Sequence, residues 1–262
     1  MSKMSSSTKN RIGKTKHGLD SNGNEYNSID ELWSSEFHTS DTDHSNNVDK
    51  SKWYNDGARY WQNADNTVDG MLGGLAHLSP IDIYSSQQFI KSLHLSSYNT
   101  VLDCGAGIGR VSKNLLCPLF KTVDMVEQDA TYVDTAKSYI NCSNMRHYYC
   151  SGLQSFVPQL NTYDMVWIQW VIGHLDDNDL VKFLRLCTSS LTAGGVICIK
   201  ENNTRDHISF HVDRDDSSIT RSDNLFKQLF DQAGLVLMRE MVQLKFPKEC
   251  FPVKMYALKP NK

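Results

Sequence analysis

Four short stretches hold residue types able to bind and deprotonate an amine. They are Ser151-Gly152-Leu153-Gln154, Gln169-Trp170-Val171-Ile172-Gly173-His174, Glu201-Asn202-Asn203 and Asp213-Arg214-Asp215-Asp216-Ser217-Ser218. Together they offer an aromatic wall, an imidazole, amides and carboxylates. An α-amine titrates at about 7.7–8.0, so much of it is protonated near neutrality. A base in reach must take that proton before the nitrogen can attack an electrophile. The first three stretches follow runs that read as strands, and ligands in open α/β sheets bind beyond the carboxyl ends of the strands.

A fifth stretch, Val-Leu-Asp-Cys-Gly-Ala-Gly-Ile-Gly-Arg at 101–110, suits a different ligand. Glycines at 105, 107 and 109 allow a tight turn and close approach of the backbone to a bound group. The helix that follows aims free N–H groups and its positive end at that group. A dinucleotide fingerprint would need a third glycine at position 110, which is Arg110. The observed spacing resembles instead the first loop of class I S-adenosylmethionine (SAM) methyltransferases, although such a loop can be a plain turn. Glu127 closes the next apolar run, about 20 residues further on, where an acid accepts from ribose hydroxyls in doubly wound folds. The other reading of Glu127 is a cap for the helix that begins near Ala130.

The elements needed to position these residues alternate as a parallel sheet requires. Strands are predicted near 99–104, 121–127, 145–150, 163–169 and 196–200. Helices are predicted from 109 to about 118, over 130–140, over 176–191 and over 222–232. Two closing strands fit 235–238 and 255–258. The stretch 202–220 reads as polar and irregular. The fold class is α/β, a seven-stranded, mostly parallel Rossmann-like sheet with an N-terminal helical extension. That extension, 51–97, carries Trp53, Tyr54, Tyr60 and Trp61, then a glycine-rich turn, then a helix opened by Pro80 and Asp82. It is either a lid over the strand ends or packing on one face.

Residues 1–50 are rich in Ser, Asn, Asp, Lys and Thr and are predicted to be a disordered tail, because they offer too little apolar surface to offset ordering entropy. Residues 51–262 form the predicted domain. Lys3, Lys9, Arg11, Lys14 and Lys16 make the start of the tail basic, which fits a nuclear address, a nucleic-acid contact or simple solubility. A net charge of −3 argues against a nucleic-acid partner. There is neither an apolar run of about 18 residues nor a signal-peptide core, so no membrane partner is expected. The seven cysteines form no Cys-x-x-Cys pair and read as reduced packing residues, with no metal site.

Several motifs converge on one family. Tyr-Trp at 60–61, Val-Asp-Gly-Met-Leu-Gly-Gly at 68–74, the 102–110 loop, Cys-x-Gly-Leu-Gln at 150–154, Trp-Ile-Gln-Trp-Val-Ile-Gly-His-Leu at 167–175 and Asp-Ser-Ser at 216–218 resemble the protein α-N-terminal methyltransferases. The resemblance covers roughly 53–258. It implies methyl transfer from SAM, with S-adenosylhomocysteine as product, to protein N-termini of the Xaa-Pro-Lys type after loss of the initiator methionine. It further implies cofactor contacts at Gly105, Arg110, Glu127, Gln128, Asp129, Gly152, Leu153 and Gln169. Arg110 would meet the cofactor carboxylate. Trp170, Leu72 and Leu78 would pack on the substrate proline, with Asp213 and Ser218 taking its lysine. Asn202 would hold the α-amine, and Asp216 and His174 would take its proton.

Each of these residues has a plainer reading: Trp170 as core, His174 as a helix cap, 213–216 as a solvated loop. A monomer in nucleus and cytoplasm is expected. A small-molecule amine is the alternative substrate. Two positions depart from the family pattern: Glu127 stands where Asp is usual, and Phe251 where a channel tyrosine is usual.

Overall fold

The run Tyr163–Gln169 is apolar on both faces, and every residue of it is buried. Such a strand belongs in the middle of a sheet covered on two sides. The computed structural model describes residues 17–37, 49–205 and 208–261. In chain order its elements are β1 (His17–Asp20), β2 (Glu25–Tyr26), α1 (Ile29–Glu36), α2 (Ser51–Gln62), α3 (Val68–Met71), α4 (Ser79–Lys91), β3 (Thr100–Cys104), β4 (Thr122–Glu127), α5 (Ala130–Ile140) and β5 (Met145–Cys150). Then follow β6 (Tyr163–Gln169), α6 (Asp177–Ser190), β7 (Leu191–Asn202), β8 (Ile208–Asp213), β9 (Ser218–Arg221), α7 (Asp223–Gln232), β10 (Leu235–Val242) and β11 (Val253–Pro260).

The main sheet has seven strands in the order β10-β11-β7-β6-β3-β4-β5. The neighbours from β7 to β5 pair in parallel, and β11 runs antiparallel to both β7 and β10. The order reverses between β3 and β6, so a crevice opens at their carboxyl ends. Period-two alternation divides the core. Leu102, Val166, Ile168 and Ile197 face a layer with Leu180, Phe183 and Phe226. Val101, Met165, Trp167 and Val196 face a second layer with Phe89, Ile90, Leu115 and Leu116. Burying each such side chain contributes about 1.5–3 kcal/mol.

Two expectations are corrected. The stretch 202–220 is not irregular, because β8 and β9 form an antiparallel hairpin inside it. Phe210, Val212 and Ile219 point to one buried face, while polar residues on the other face mask the alternation. The tail is not disordered through residue 50. Residues 17–37 supply β1, β2 and α1, and β1 adds in parallel to β8, giving a second sheet of order β2-β1-β8-β9. Averaged over 50 residues the composition is too polar to fold. Locally, however, Leu32 and Phe37 lie on one side of α1 and its end, and they pack on Trp53, Phe210, Val212 and Ile219. The segment borrows the apolar face of the hairpin as its core. The expectations for 1–16 and 38–48, including the basic cluster Lys3–Lys16, lie outside the described residues.

Candidate active site

The turn after β3 lies against its neighbours without room for side chains. Gly105 has φ +66°, and a Cβ there would stand 2.4 Å from Cβ of Val171. The Gly107 N–H donates to Glu127 Oε2 at 2.9 Å, and the N–H groups of Gln128 and Asp129 donate to Oε1 at 2.7 and 3.0 Å. Burial pushes the Glu127 carboxyl up, and these three donors pull it back. The longer glutamate arm therefore reaches the glycine loop and retains acceptor capacity for hydroxyl groups. Asp129 does not line this cavity: its carboxylate accepts from the N–H groups of Thr131 and Tyr132 and caps α5. Gly105, Arg110, Glu127, Gln128, Gly152, Leu153 and Gln169 do line it, beneath Trp53, Trp61, Met71 and Leu72 from the N-terminal extension. The extension thus contributes Trp53, Trp61, Met71 and Leu72 to the lining of the cavity at the strand ends.

Arg110 is nearly buried and is fixed from below. Its guanidinium pairs with Asp82 at 2.8 Å, donates to Ser79 Oγ at 3.2 Å and stands 5.7 Å from the Trp170 ring centroid. Asp82 also pairs with buried Lys200 at 2.5 Å and accepts from Gln169 Nε2 at 3.0 and 3.1 Å. Burial drives the Asp82 carboxyl up, but Lys200 and Arg110 overcome it and hold the group below the usual carboxylate range. Sequence reading missed Asp82 as a site residue. The available signal was Lys200 at the end of an apolar strand, since a buried ammonium requires a counter-charge. Arg221 was also missed. It is fully buried and donates to the carbonyls of Ile172 and Leu175 and to Asp177, which shapes the loop after β6.

A second cavity adjoins the first, and Trp61, Met71, Leu72, Trp170 and His174 line both. The second is completed by Leu78, Glu201, Asn202, Asp216, Ser218 and Phe251, among others. Glu201 accepts from the N–H groups of Val171 and Asn202, and burial raises its carboxyl to about 7. Trp170 holds a left-handed backbone, φ +52°, at the end of β6. Its indole N–H and Asp216 Oδ1 are buried with no hydrogen-bond partner among the described residues. Two buried, unpaired polar atoms in residues that line one cavity are costly unless a ligand satisfies them. Burial also pushes the Asp216 carboxyl above its ordinary range.

His174 differs from expectation. Trp61 Nε1 donates to its Nε2 at 3.0 Å, and its Nδ1 faces the Ser217 carbonyl at 3.2 Å. An indole N–H only donates and a carbonyl only accepts, so the proton sits on Nδ1 and the Nε2 lone pair is already taken. His174 therefore braces the site in this arrangement, and Asp216 alone of the two keeps an acceptor oxygen without a partner among the described residues. Asp213 does not line the cavity either: its Oδ1 accepts from the Asp215 N–H, closing the turn.

A parallel sheet with this reversal, a glycine turn facing an acid on the next strand and a buried arginine beside them define a class I SAM-dependent methyltransferase. The comparisons agree. The model of the AdoMet-dependent proline di-methyltransferases matches residues 49–259, and the chain belongs to that family. It is 46% identical over 251 residues to "Alpha N-terminal protein methyltransferase 1" of Dictyostelium discoideum, covering 92% of this chain and 90% of that one. It is 41% identical over 218 residues to "N-terminal Xaa-Pro-Lys N-methyltransferase 1" of Homo sapiens, covering 80% and 97%. Since 92% of 262 residues is about 241, the first match begins no later than about residue 22, well upstream of residue 49. A solved SAM-dependent methyltransferase from Leishmania major superposes with a TM-score of 0.85 at 38% identity, covering 94% of this chain and 96% of that one.

Proposed function

We propose that this chain methylates the α-amine of protein N-termini beginning Xaa-Pro-Lys. One observation carries the reading. Asp216 and Trp170 line one cavity, each holds a buried polar atom with no hydrogen-bond partner among the described residues, and that cavity joins the cofactor cavity through Trp61, Met71, Leu72, Trp170 and His174. The names of the relatives supply the substrate class.

The residues present fit SAM. Glu127 suits its ribose hydroxyls, Gly105 and Gly107 admit it closely, Gln128, Gly152 and Leu153 edge its base, and Arg110 suits its carboxylate by charge-assisted hydrogen bonds. Gln169, tied to Asp82, closes the inner end. When bound, SAM supplies a methyl on a sulfonium sulfur: the nitrogen lone pair forms the N–C bond as the C–S bond breaks, leaving S-adenosylhomocysteine. The protein's own residues prepare the nitrogen. Asn202 orients the amine, and Asp216 takes its proton. Trp170, Leu72 and Leu78 hold the proline ring so that nitrogen and methyl lie in line. Ser218 and the negative field of Asp213 favour the lysine at position three. Phe251 lines this channel without a hydroxyl.

Mass spectrometry of a Ser-Pro-Lys peptide incubated with the protein and SAM tests the reading. Gains of one to three methyls are expected, and none when the peptide is acetylated at its N-terminus. SAM binding without gain on the free peptide would redirect the assignment to small-molecule amines.

A further inference from the structure

The turn that carries Asp216 is an awkward piece of chain. Asp213, Asp215 and Asp216 crowd like charges into four residues, and Ser217 next to Asp216 holds φ +51°. A left-handed backbone costs a residue with a side chain about 1–2 kcal/mol, so such a turn needs restraint from outside. On the inner side His174 faces the Ser217 carbonyl. On the outer side the restraint comes from residues 17–37, which precede the family-matched region.

Arg214 is the link. Its Nε donates to Asp20 Oδ2 at 3.0 Å, and its terminal nitrogens meet Glu36 Oε1 and the Tyr26 hydroxyl at 2.5 Å each. Its own N–H donates to Ser21 Oγ at 3.1 Å, and the Ser21 N–H donates to the Val212 carbonyl at 2.9 Å. Asp20 is itself fixed. It is buried and also accepts from Asn22, Asn24 and Tyr26. Gly18 carries the ring of Phe210 where a Cβ would stand 2.0 Å from it, which locks the register of β1 on β8.

We propose that residues 17–37 are a positioning strap for the substrate-side base: Asp20, Tyr26 and Glu36 hold Arg214, and Arg214 holds the turn that presents Asp216 to the amine. This rests on Asp216 as the base. Arg214 touches neither cavity, so its effect on catalysis runs through the turn.

The test is a double-mutant cycle in the full chain. Arg214→Ala should lower kcat on the Ser-Pro-Lys peptide about tenfold or more, with the SAM dissociation constant changed by less than about twofold. In an Asp216→Asn background the same change should cost nothing further, because the group it positions is gone. Arg214→Lys should recover part of the loss. Should Arg214→Ala unfold, Glu36→Gln gives a smaller fall that vanishes in the Asp216→Asn background in the same way. A wild-type kcat in Arg214→Ala, or an equal loss with and without Asp216, overturns the strap. Wild-type protein that binds SAM but leaves the peptide unmodified overturns the reading of the site, and the strap with it.

Discussion

Trp61 gives its indole N–H to Nε2 of His174 at 3.0 Å, and this bond separates two residues that look equivalent in sequence. With the opposite ring nitrogen facing Ser217, the imidazole is a brace between α2 and the turn at 217. Asp216 has a buried oxygen with no partner among the described residues. Asp216→Asn should therefore lower kcat by about 10²-fold or more, within the usual range for a general base. His174→Gln, which still offers a donor and an acceptor, should cost clearly less. Steady-state kinetics on one peptide compares them, and an equal loss would return His174 to the role of base.

Gly105→Ala should weaken SAM binding more than about tenfold. The added methyl would need the space of the Val171 side chain at a backbone angle that L residues seldom adopt. Calorimetric titration with SAM reads the loss, and the peptide KM should move much less.

Asp82→Asn should destabilise the fold by about 3–5 kcal/mol, because it strands Arg110 and Lys200 as buried cations. Lys200→Met in the same chain should return part of that stability by removing one of the stranded charges. Urea unfolding measures both, and an Asp82→Asn chain as stable as wild type would rule out the shared counter-ion.

Asp103 gives a pH dependence of stability. Burial raises its carboxyl to about 7, opposed by the Ser112 hydroxyl, which donates to it at 2.6 Å. The folded state keeps this proton after the unfolded chain has lost it near about 3.9. The native state thus binds more protons between about pH 4 and 7, and the contribution of Asp103 falls as pH rises through that window. Asp103→Asn cannot ionise, so the stability of wild type relative to the variant should decline from pH 4.5 to 7. Denaturation at both values checks the sign.

Much of this protein is legible along the chain. The alternation of apolar strands and helices, the glycine turn at 105–109 and the acid at 127 depend on local spacing, and they appear in the structure where spacing puts them. The residues lining the two cavities were mostly legible too, because strand ends are fixed by periodicity and ligand crevices lie beyond them.

Tertiary structure decided what depends on partners distant in sequence. Asp129 and Asp213 carry the right chemistry, but the packed chain sets Asp129 at the N-terminus of α5 and Asp213 at the start of the turn, and neither lines the two cavities. Asp82 became the counter-ion of Arg110 and Lys200 only because α4, packed on a face of the sheet through Phe89 and Ile90, sets its first turn beside both cations. The polar N-terminal segment folds because β8 and β9 lend it an apolar face, a surface no count over its own residues contains. Local spacing sets which elements form. Which of their polar groups stay open for chemistry depends on which partners the packed chain brings within hydrogen-bond reach.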